Sequence, residues 1–221
     1  MGLNFNFIVK YLPLYVDGAI LTVRIAFFGI LISLIIGIAC SVVQYCHVSV
    51  IRNIVSAYIE ISRNTPLLVQ LFFLYFGLPK IGIVWNAEVC AIVGLAFLGG
   101  SYMSESIRSG LEAVEKSQIE SAASLGMSKA LTMKEVIFPQ AFGVSVPGIC
   151  ANVIFLIKET SVVSGIALAD LMYVTKDLIG LYYETDEALL MLVVFYLIIL
   201  LPISVLASLL ERRLRYARFG T

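Results

Sequence analysis

Charged residues are scarce in this chain, and the groups that enzymes use most often are scarcer still. Only 14% of its 221 residues are Asp, Glu, Lys or Arg, and His47 is its single histidine. One histidine excludes the HExxH site of metalloproteases, and it leaves no Ser-His-Asp arrangement with support from a motif. The sequence also lacks a GxxxxGK[ST] phosphate-binding loop, which excludes ATP binding of the Walker type.

Cysteine pairs and an excess of basic charge are also missing. The four cysteines, Cys40, Cys46, Cys90 and Cys150, lie in or beside apolar stretches and form no CxxC pair. They therefore imply neither a disulfide framework nor a zinc site, and we expect them to be small apolar side chains. The 15 basic residues are balanced by 15 acidic residues. This balance gives no general positive field that would attract nucleic acid.

Apolar residues, by contrast, are abundant and lie in long blocks. They make up 60% of the chain, compared with about 45–50% in soluble domains. A helix needs about 20 residues to span a bilayer. Five stretches contain no charged residue: Ile25 to Ile51, Asn64 to Pro79, Val89 to Ser104, Val136 to Ile157, and Ala188 to Leu210. Two of them are shorter than a membrane span, so we expect their helices to extend into flanking residues such as Ile59 to Arg63 or Glu105 to Arg108.

These five stretches predict an all-α, polytopic membrane protein with one transmembrane domain over residues 1–221. Basic residues collect in Cys46 to Arg52, in Ser109 to Glu135, and in the tail after Leu210. Since cytoplasmic segments are enriched in Lys and Arg, we expect the N-terminus outside and the C-terminus inside.

One inner segment, residues 117–126, has the pattern of a short separate helix. Ser117 and Glu120 have the spacing of a capping box, and Gly126 suits the left-handed end of a helix. The interior run from Ser121 to Ser124 consists of Ala and Ser, which allow close approach by another protein. Thr132 with Glu135 predicts the start of the next helix, which Pro139 should kink or restart.

Here the residues resemble a known family. The pattern Glu120-Ser121-Ala122, then Gly126, then Val136, Phe138 and Pro139, keeps every spacing of the EAA motif of binding-protein-dependent ABC importer permeases. Ser121 replaces the first alanine of that motif. Three further segments are similar to the polar amino acid uptake subfamily, which includes histidine-type and glutamine-type permeases. They are Arg63 to Gln70, Tyr102 to Arg108, and Lys158 to Ser161, with Asn64 and Glu159 differing from the usual Gly and Asp.

The resemblance implies the type I importer fold with a five-helix core in the bacterial cytoplasmic membrane. It also implies an assembly with a second permease subunit, either another copy or a related chain, two ATPase subunits, and an extracytoplasmic binding protein. ATP and Mg would be bound by the ATPases, and this chain would carry no cofactor of its own. The transport subunit would move a polar amino acid by alternating access and would not be an enzyme.

The resemblance and the polar interruptions of the apolar helices also indicate two sets of functional residues. The contact with the ATPase is expected at Ser117, Glu120, Ser121, Ala122, Ala123 and Gly126. The substrate pathway is expected at Glu105, Lys158, Glu159, Thr160 and Ser161.

Both sets have a purely structural alternative: Lys158 would pair with an acid and join helices, and Ser117 to Gly126 would be an ordinary surface helix between spans. In the first family segment, Thr65 with Pro66 would only start a helix, and Arg63 would face lipid phosphates. The alternative function is an ATP-independent channel or secondary carrier. An intramembrane hydrolase built on Lys158 and Ser164 has little support, because no partner histidine or aspartate dyad is present.

Overall fold

The structure is a computed structural model that describes residues 3–46 and 49–219; His47 lies outside this range. Within the described residues the chain is helical, and the helices follow one another with short connections. In chain order they are α1 (Phe5–Tyr45), α2 (Ser49–Asn64), α3 (Leu67–Phe72), α4 (Ala87–Glu112), α5 (Lys116–Ser124), α6 (Lys129–Thr132), α7 (Phe138–Glu159), α8 (Leu171–Tyr182) and α9 (Thr185–Phe219).

Turns of other helical types extend three of these helices. A π-helical turn (Phe73–Gly77) and a 3₁₀ turn (Leu78–Ile81) continue α3. A second π turn (Met133–Ile137) joins α6 to α7, and a 3₁₀ turn (Thr160–Ile166) follows α7. A π turn placed just before Pro139 accommodates a residue that cannot donate a backbone hydrogen bond.

Four helices are long and apolar enough to cross a membrane. They are Phe5–Tyr45, Ala87–Glu112, Lys129–Ile166 and Thr185–Leu214, and the shorter apolar helix Leu67–Ile81 accompanies them. The all-α membrane architecture predicted from the sequence is confirmed. The extension of α4 through Glu105 to Arg108 is confirmed as well.

The predicted start of the first span at Ile25 is wrong, because α1 begins at Phe5. A charge-free stretch ends at the first charged residue, but a helix does not end at a single charge. Arg24 lies inside α1, and its Nη2 atom is 2.6 Å from Oε2 of Glu88. The predicted end at Ile51 is also wrong, since a separate helix starts at Ser49.

The chain forms two compact units. The first unit comprises the described parts of Met1–Leu31, Thr65–Phe97 and Ile154–Ser204. One apolar cluster of this unit is formed by Phe7, Tyr11, Tyr15, Leu171, Leu178 and Met191. The hydroxyl of Tyr15 is 3.0 Å from that of Thr175 and donates to the carbonyl of Ala188 over 2.9 Å, so the cluster is also fixed by polar contacts.

The second unit comprises the described parts of Ile32–Asn64, Leu98–Val153 and Val205–Thr221. One of its apolar clusters consists of Leu111, Val114, Ile137 and Ala141. Hydroxyl and amide side chains join its helices: Ser62 donates to Ser101 over 3.1 Å, and Asn152 donates to Ser106 over 2.9 Å. Small polar residues at helix contacts are typical of membrane proteins, where lipid provides no hydrophobic force between helices.

Candidate functional site

The second unit contains a polar cavity of about 580 Å³. Three arginines, three glutamates and five further side chains surround it. The lining residues are Gln44, Arg52, Ser56, Ile59, Glu60, Arg63, Asn64, Tyr102, Glu105, Arg108 and Glu112. In a chain that crosses a membrane, a cavity with this lining provides a hydrated environment for charged groups.

Helix α2 supplies one wall of this cavity through a single polar face. Arg52, Ser56, Glu60 and Arg63 are spaced by four, four and three residues, which places them on one side of a helix. The opposite side is apolar and exposed, with Ile54 65% and Ile61 61% accessible. This division fits a helix with lipid on one side and water on the other.

The centre of the cavity holds an ion pair between Arg63 of α2 and Glu105 of α4. The guanidinium group of Arg63 also lies over the ring of Tyr102, 5.2 Å from its centroid. A second pair joins Arg108 to Glu112, with Nη1 2.7 Å from Oε2. About 40% of the Arg63 and Glu105 side chains is exposed, and exposed pairs of this kind contribute only about 0–1 kcal/mol to stability. The pair can therefore open without unfolding the protein.

The structure thus places Glu105 at a polar cavity, and it turns Arg63 towards Glu105. Several residues of the lining were missed in the sequence, above all Ser56 and Glu60. The search for charge-free stretches left out α2 because that helix carries Arg52, Glu60 and Arg63. The helical spacing of those charges was the signal that would have found the polar face.

The Lys158 to Ser161 segment belongs to the first unit, so the structure does not bring it together with Glu105 in one unit. Lys158 is exposed, Glu159 is half-buried, and Thr160 is buried. The Thr160 hydroxyl donates to the carbonyl of Ile157 over 2.7 Å. Across the described ranges, Lys158 takes part in no ion pair, so the helix-joining alternative finds no partner for it there.

The start of α5 differs from the prediction. The helix begins at Lys116, and Glu115 occupies the N-cap position without a side-chain capping bond. The Ser117 hydroxyl donates to Oε2 of Glu115 over 3.2 Å, so Ser117 and Glu120 do not form a capping box. Ser117 lies two residues beyond the N-cap position, which Glu115 occupies, so it is already inside the helix.

The end of α5 agrees with the prediction. Gly126 has φ of 76°, the left-handed region that a side chain disfavours. The N–H of Gly126 donates to Ala123 over 3.0 Å, and that of Met127 donates to Ala122 over 3.1 Å. These two bonds form a Schellman motif, which fixes the direction in which the chain leaves the helix.

Most of the α5 residues that were expected to contact an ATPase are exposed. Ser117, Glu120, Ser121 and Ala123 are accessible, whereas Ala122 is only 4% exposed. Leu125, at the end of the helix, is 81% exposed. A shallow, mainly apolar depression of about 280 Å³ lies along this edge, lined by Ser117, Gln118, Ser121, Ala122, Leu125, Met127 and Val136. The helix therefore presents small side chains and one large apolar side chain to a partner.

The next helix also starts earlier than predicted. Ser128 is the N-cap of α6, and its hydroxyl accepts from the backbone N–H of Leu131 over 3.3 Å. Thr132 is buried inside the helix and does not cap it with Glu135. Likewise, α3 begins at Leu67 with Pro66 as its N-cap and no capping bond from a side chain. The predicted capping hydroxyl of Thr132 thus lies about one turn after the true N-cap of α6, and that of Thr65 lies one residue before the N-cap of α3.

Among residues 3–46 and 49–219, no three His, Cys, Asp or Glu side chains come together as a metal site would require.

Comparison with known proteins shows the family. Residues 29–216 match the family described as binding-protein-dependent transport system inner membrane component. The arginine transport system permease protein ArtQ of Bacillus subtilis is 32% identical over 219 residues, which cover 97% of this chain and 99% of that protein. The probable glutamine ABC transporter permease protein GlnP of the same species is 37% identical over 164 residues, or 74% of this chain and 75% of that protein.

Solved structures give the same result. A crystal structure of an amino acid ABC transporter with histidines has a chain that is 35% identical, with a TM-score of 0.89, over 96% of this chain and 100% of that chain. The inward-facing MetNI methionine ABC transporter has the same fold, with a TM-score of 0.75 at 18% identity, over 93% of this chain and 98% of that chain. These relatives are subunits of ABC transporters, which favours an importer subunit over an ATP-independent carrier. The chain belongs to the family of inner membrane components of binding-protein-dependent transport systems.

Proposed function

We propose that this chain moves a polar amino acid across the bacterial cytoplasmic membrane as the permease subunit of an ABC importer. The observation that carries the proposal is the similarity to the arginine permease ArtQ over almost the full length of both chains. Energy comes from two separate ATPase subunits, which bind ATP and Mg, and an extracytoplasmic binding protein delivers the amino acid.

The polar cavity supports a substrate pathway beside Glu105. An amino acid carries an ammonium group and a carboxylate, and the cavity offers three glutamates and three arginines. A zwitterion inserted between Arg63 and Glu105 replaces one ion pair by two without any change in net charge. Lys158, Glu159, Thr160 and Ser161 form the second part of the proposed pathway.

The proposed contact with the ATPase is α5 with its Gly126 end. Its exposed residues, Ser117, Glu120, Ser121 and Ala123, are small or flexible, and Ala122 lies beneath them as packing. A rigid helix of this kind transmits movement between the ATPase and the membrane helices. ATP-driven closure of the ATPases then turns the pathway outward, and their opening turns it inward.

A five-span topology with the N-terminus outside completes the proposal. The shorter apolar helix Leu67–Ile81 is then the fifth span, together with the four long helices. Five helices enclose little space, so a pathway needs a second permease subunit related by a two-fold axis.

The test is copurification and transport with partners encoded beside this chain. The permease, its ATPase and its binding protein are reconstituted in vesicles, and ATP hydrolysis and uptake are measured for a panel of amino acids that includes arginine and glutamine. We expect hydrolysis to be stimulated by the loaded binding protein, and uptake to require ATP. Uptake without an ATPase subunit would overturn the proposal in favour of a channel or carrier.

A further inference from the structure

Four of the six charged residues that line the polar cavity neutralise one another in two ion pairs, which are formed by Arg63 and Arg108. The other two are Arg52 and Glu60, which are exposed on α2 and take part in no ion pair within the described residues. The neighbouring amide of Asn64 donates to the backbone carbonyl of Glu60 over 2.8 Å and not to its carboxylate. The carboxylate of Glu60 is therefore available to a ligand in the cavity.

The unpaired arginine is too far along α2 to neutralise Glu60. Arg52 precedes Glu60 by eight residues, or about 12 Å in a helix that rises about 1.5 Å per residue. Arg63 follows Glu60 by three residues on the same face, where Cβ atoms are about 5–6 Å apart, but its guanidinium group already pairs with Glu105. The part of the cavity around Arg63 thus holds two carboxylates and one guanidinium group.

An amino acid that enters this part of the cavity meets all three of these groups. Its α-carboxylate can bind Arg63, which is also held by the ring of Tyr102, 5.2 Å from its centroid. Its α-ammonium group can bind Glu105. A side chain that extends along α2 by one turn then reaches Glu60. Because an ionised carboxylate only accepts hydrogen bonds, this side chain must donate them, and a cationic group donates the strongest.

We propose that Glu60 is a specificity-determining residue, and that the cavity takes amino acids with a cationic side chain in preference to neutral ones and excludes acidic ones. This inference rests on the proposed function, because it requires the cavity to lie on the substrate pathway. A cationic amino acid carries one net positive charge, which balances the excess carboxylate beside Arg63. An acidic side chain would instead place a further carboxylate next to Glu60, and like charges at this distance repel.

The test is direct binding of amino acids to the complete permease–ATPase complex in nanodiscs. The binding protein is left out, because its own selectivity would otherwise dominate the measurement. Radiolabelled arginine and citrulline are the main probes, since they have nearly the same shape and differ in the charge of the side chain. We expect arginine to bind about fivefold more tightly than citrulline, which is the size of a favourable ion pair at a partly exposed position. Glutamate should bind more weakly than citrulline.

Two variants separate selection of the side chain from a structural role of Glu60. Glu60→Gln keeps the size of the side chain and removes its charge, so arginine should lose more affinity than citrulline and bind no better than it. Glu60→Asp keeps the charge on a shorter side chain and should retain part of the preference. Glu88→Gln is the matched control, because it removes a partly exposed glutamate charge that lines no part of the cavity. It should bind both probes as the wild type does.

A preference for arginine over citrulline that persists in Glu60→Gln overturns the inference. An equal loss of affinity for both probes also overturns it, because Glu60 would then act on the shape of the cavity. The same holds for a wild-type complex that binds glutamate as tightly as arginine, or that transports amino acids in vesicles but binds none of the three probes.

If Glu60→Gln does not accumulate in membranes, Glu60→Ser takes its place, since serine also removes the charge. The comparison of the three probes on the wild type needs no variant and can overturn the inference by itself. Absence of ATP-dependent uptake of every amino acid in vesicles would instead count against the proposed function, so the two failures can be told apart.

Discussion

The carboxylate of Glu105 lies at the polar cavity and binds Arg63, so its charge can be tested separately from its shape. Glu105→Gln keeps the size of the side chain and removes the charge that would meet the ammonium group of an amino acid. We expect uptake to fall about tenfold or more, because a hydrogen bond to a charged group contributes about 1.5–3 kcal/mol. Membrane abundance and ATPase copurification should stay near wild type, since the half-exposed ion pair contributes little to stability.

Glu88→Gln is the matched control for Glu105→Gln. Glu88 also binds an arginine, Arg24, over 2.6 Å, but it belongs to the first unit and lines no part of the cavity. We expect its uptake to equal that of the wild type. Equal uptake by Glu105→Gln as well would assign Glu105 to helix packing. Glu159→Gln, measured in the same assay, should lower uptake if the Lys158 to Ser161 segment borders the pathway.

At single residues, the sequence predicted what depends on local conformation and missed what depends on distant contacts. Gly126 was predicted because a left-handed helix end has a local signature. The Arg63–Glu105 pair joins two helices and residues that are far apart in the sequence, so no local pattern predicts it. Asp170 is the N-cap of α8 and accepts from the N–H of Tyr173 over 2.9 Å, and the Ala-Asp-Leu sequence before an apolar helix was the available signal for it.

Among the helices, α5 has the surface that is most directly open to test. Ala123 is exposed on α5, so a bulky, charged side chain there obstructs a partner without disturbing the permease itself. Ala123→Glu should insert normally and copurify with much less ATPase. Ala130→Glu introduces the same side chain at an exposed position of α6 and should leave copurification unchanged. Equal ATPase binding by both variants would contradict the docking role of α5.

Ala122 is unsuitable for this experiment, although its sequence position suggests the same role. It is only 4% exposed, so Ala122→Glu would bury a charge within the permease and lower its abundance. The helix period of 3.6 residues determines which of the two neighbouring alanines is exposed, whereas the family motif does not distinguish between them. The structure was needed to distinguish Ala122 from Ala123.

Gly126 provides a second test of the same helix. Gly126→Val places a β-branched residue at φ of 76°, a conformation that such residues rarely adopt. We expect α5 to fray or redirect, with ATPase copurification reduced and membrane abundance retained. Gly143→Val is a fair comparison, because Gly143 also has open space around a Cβ atom but no positive φ. Gly126→Asn should restore part of the function, since asparagine tolerates the left-handed region. Normal coupled uptake by Gly126→Val would contradict the importance of this helix end.

Helix boundaries were less predictable than helices. The charge-free stretches located α4, α7 and α9 to within a few turns, since lipid requires long apolar runs. They failed at α1 and α2, because a membrane helix extends through charges that find a partner or face water. Arg24 in α1 has Glu88 as its partner, and the charges of α2 line the cavity. The interruption at Thr65 and Pro66 separates two helices where the sequence suggested one continuous span.

For the whole molecule, the fold followed from composition and a few motifs, whereas the arrangement of the pathway did not. Hydropathy predicts an all-α membrane protein, and the spacing of the Glu120 to Pro139 motif indicates the family, whereas five apolar stretches correspond to four long apolar helices and one shorter one. In the proposed function, selection of one amino acid involves charges from more than one helix and a separate binding protein, neither of which a single sequence motif reveals. The charge balance of the cavity became visible only when α2 and α4 were placed side by side.

The last prediction concerns the orientation of the whole chain in the membrane. The arginines after Leu210 and the basic segment around α5 favour the N-terminus outside and the C-terminus inside. A docking role for α5 requires the same orientation, because the ATPases are cytoplasmic. Asn86, just before α4, should then be outside, and Ser124, at the end of α5, should be inside; both are exposed.

Single cysteines at Asn86 and Ser124 test this orientation in a chain whose own four cysteines are replaced by serine or alanine. An impermeant maleimide added to intact cells should label Asn86→Cys and leave Ser124→Cys unlabelled until the cells are opened. A third cysteine at Gly220, which lies outside the described residues, should behave like Ser124→Cys. Because an even number of spans would place the two chain ends on the same side, labelling of Gly220→Cys from outside would contradict the five-span topology. Labelling of Ser124→Cys from outside would remove α5 from the compartment of the ATPases, and with it the proposed route of energy coupling.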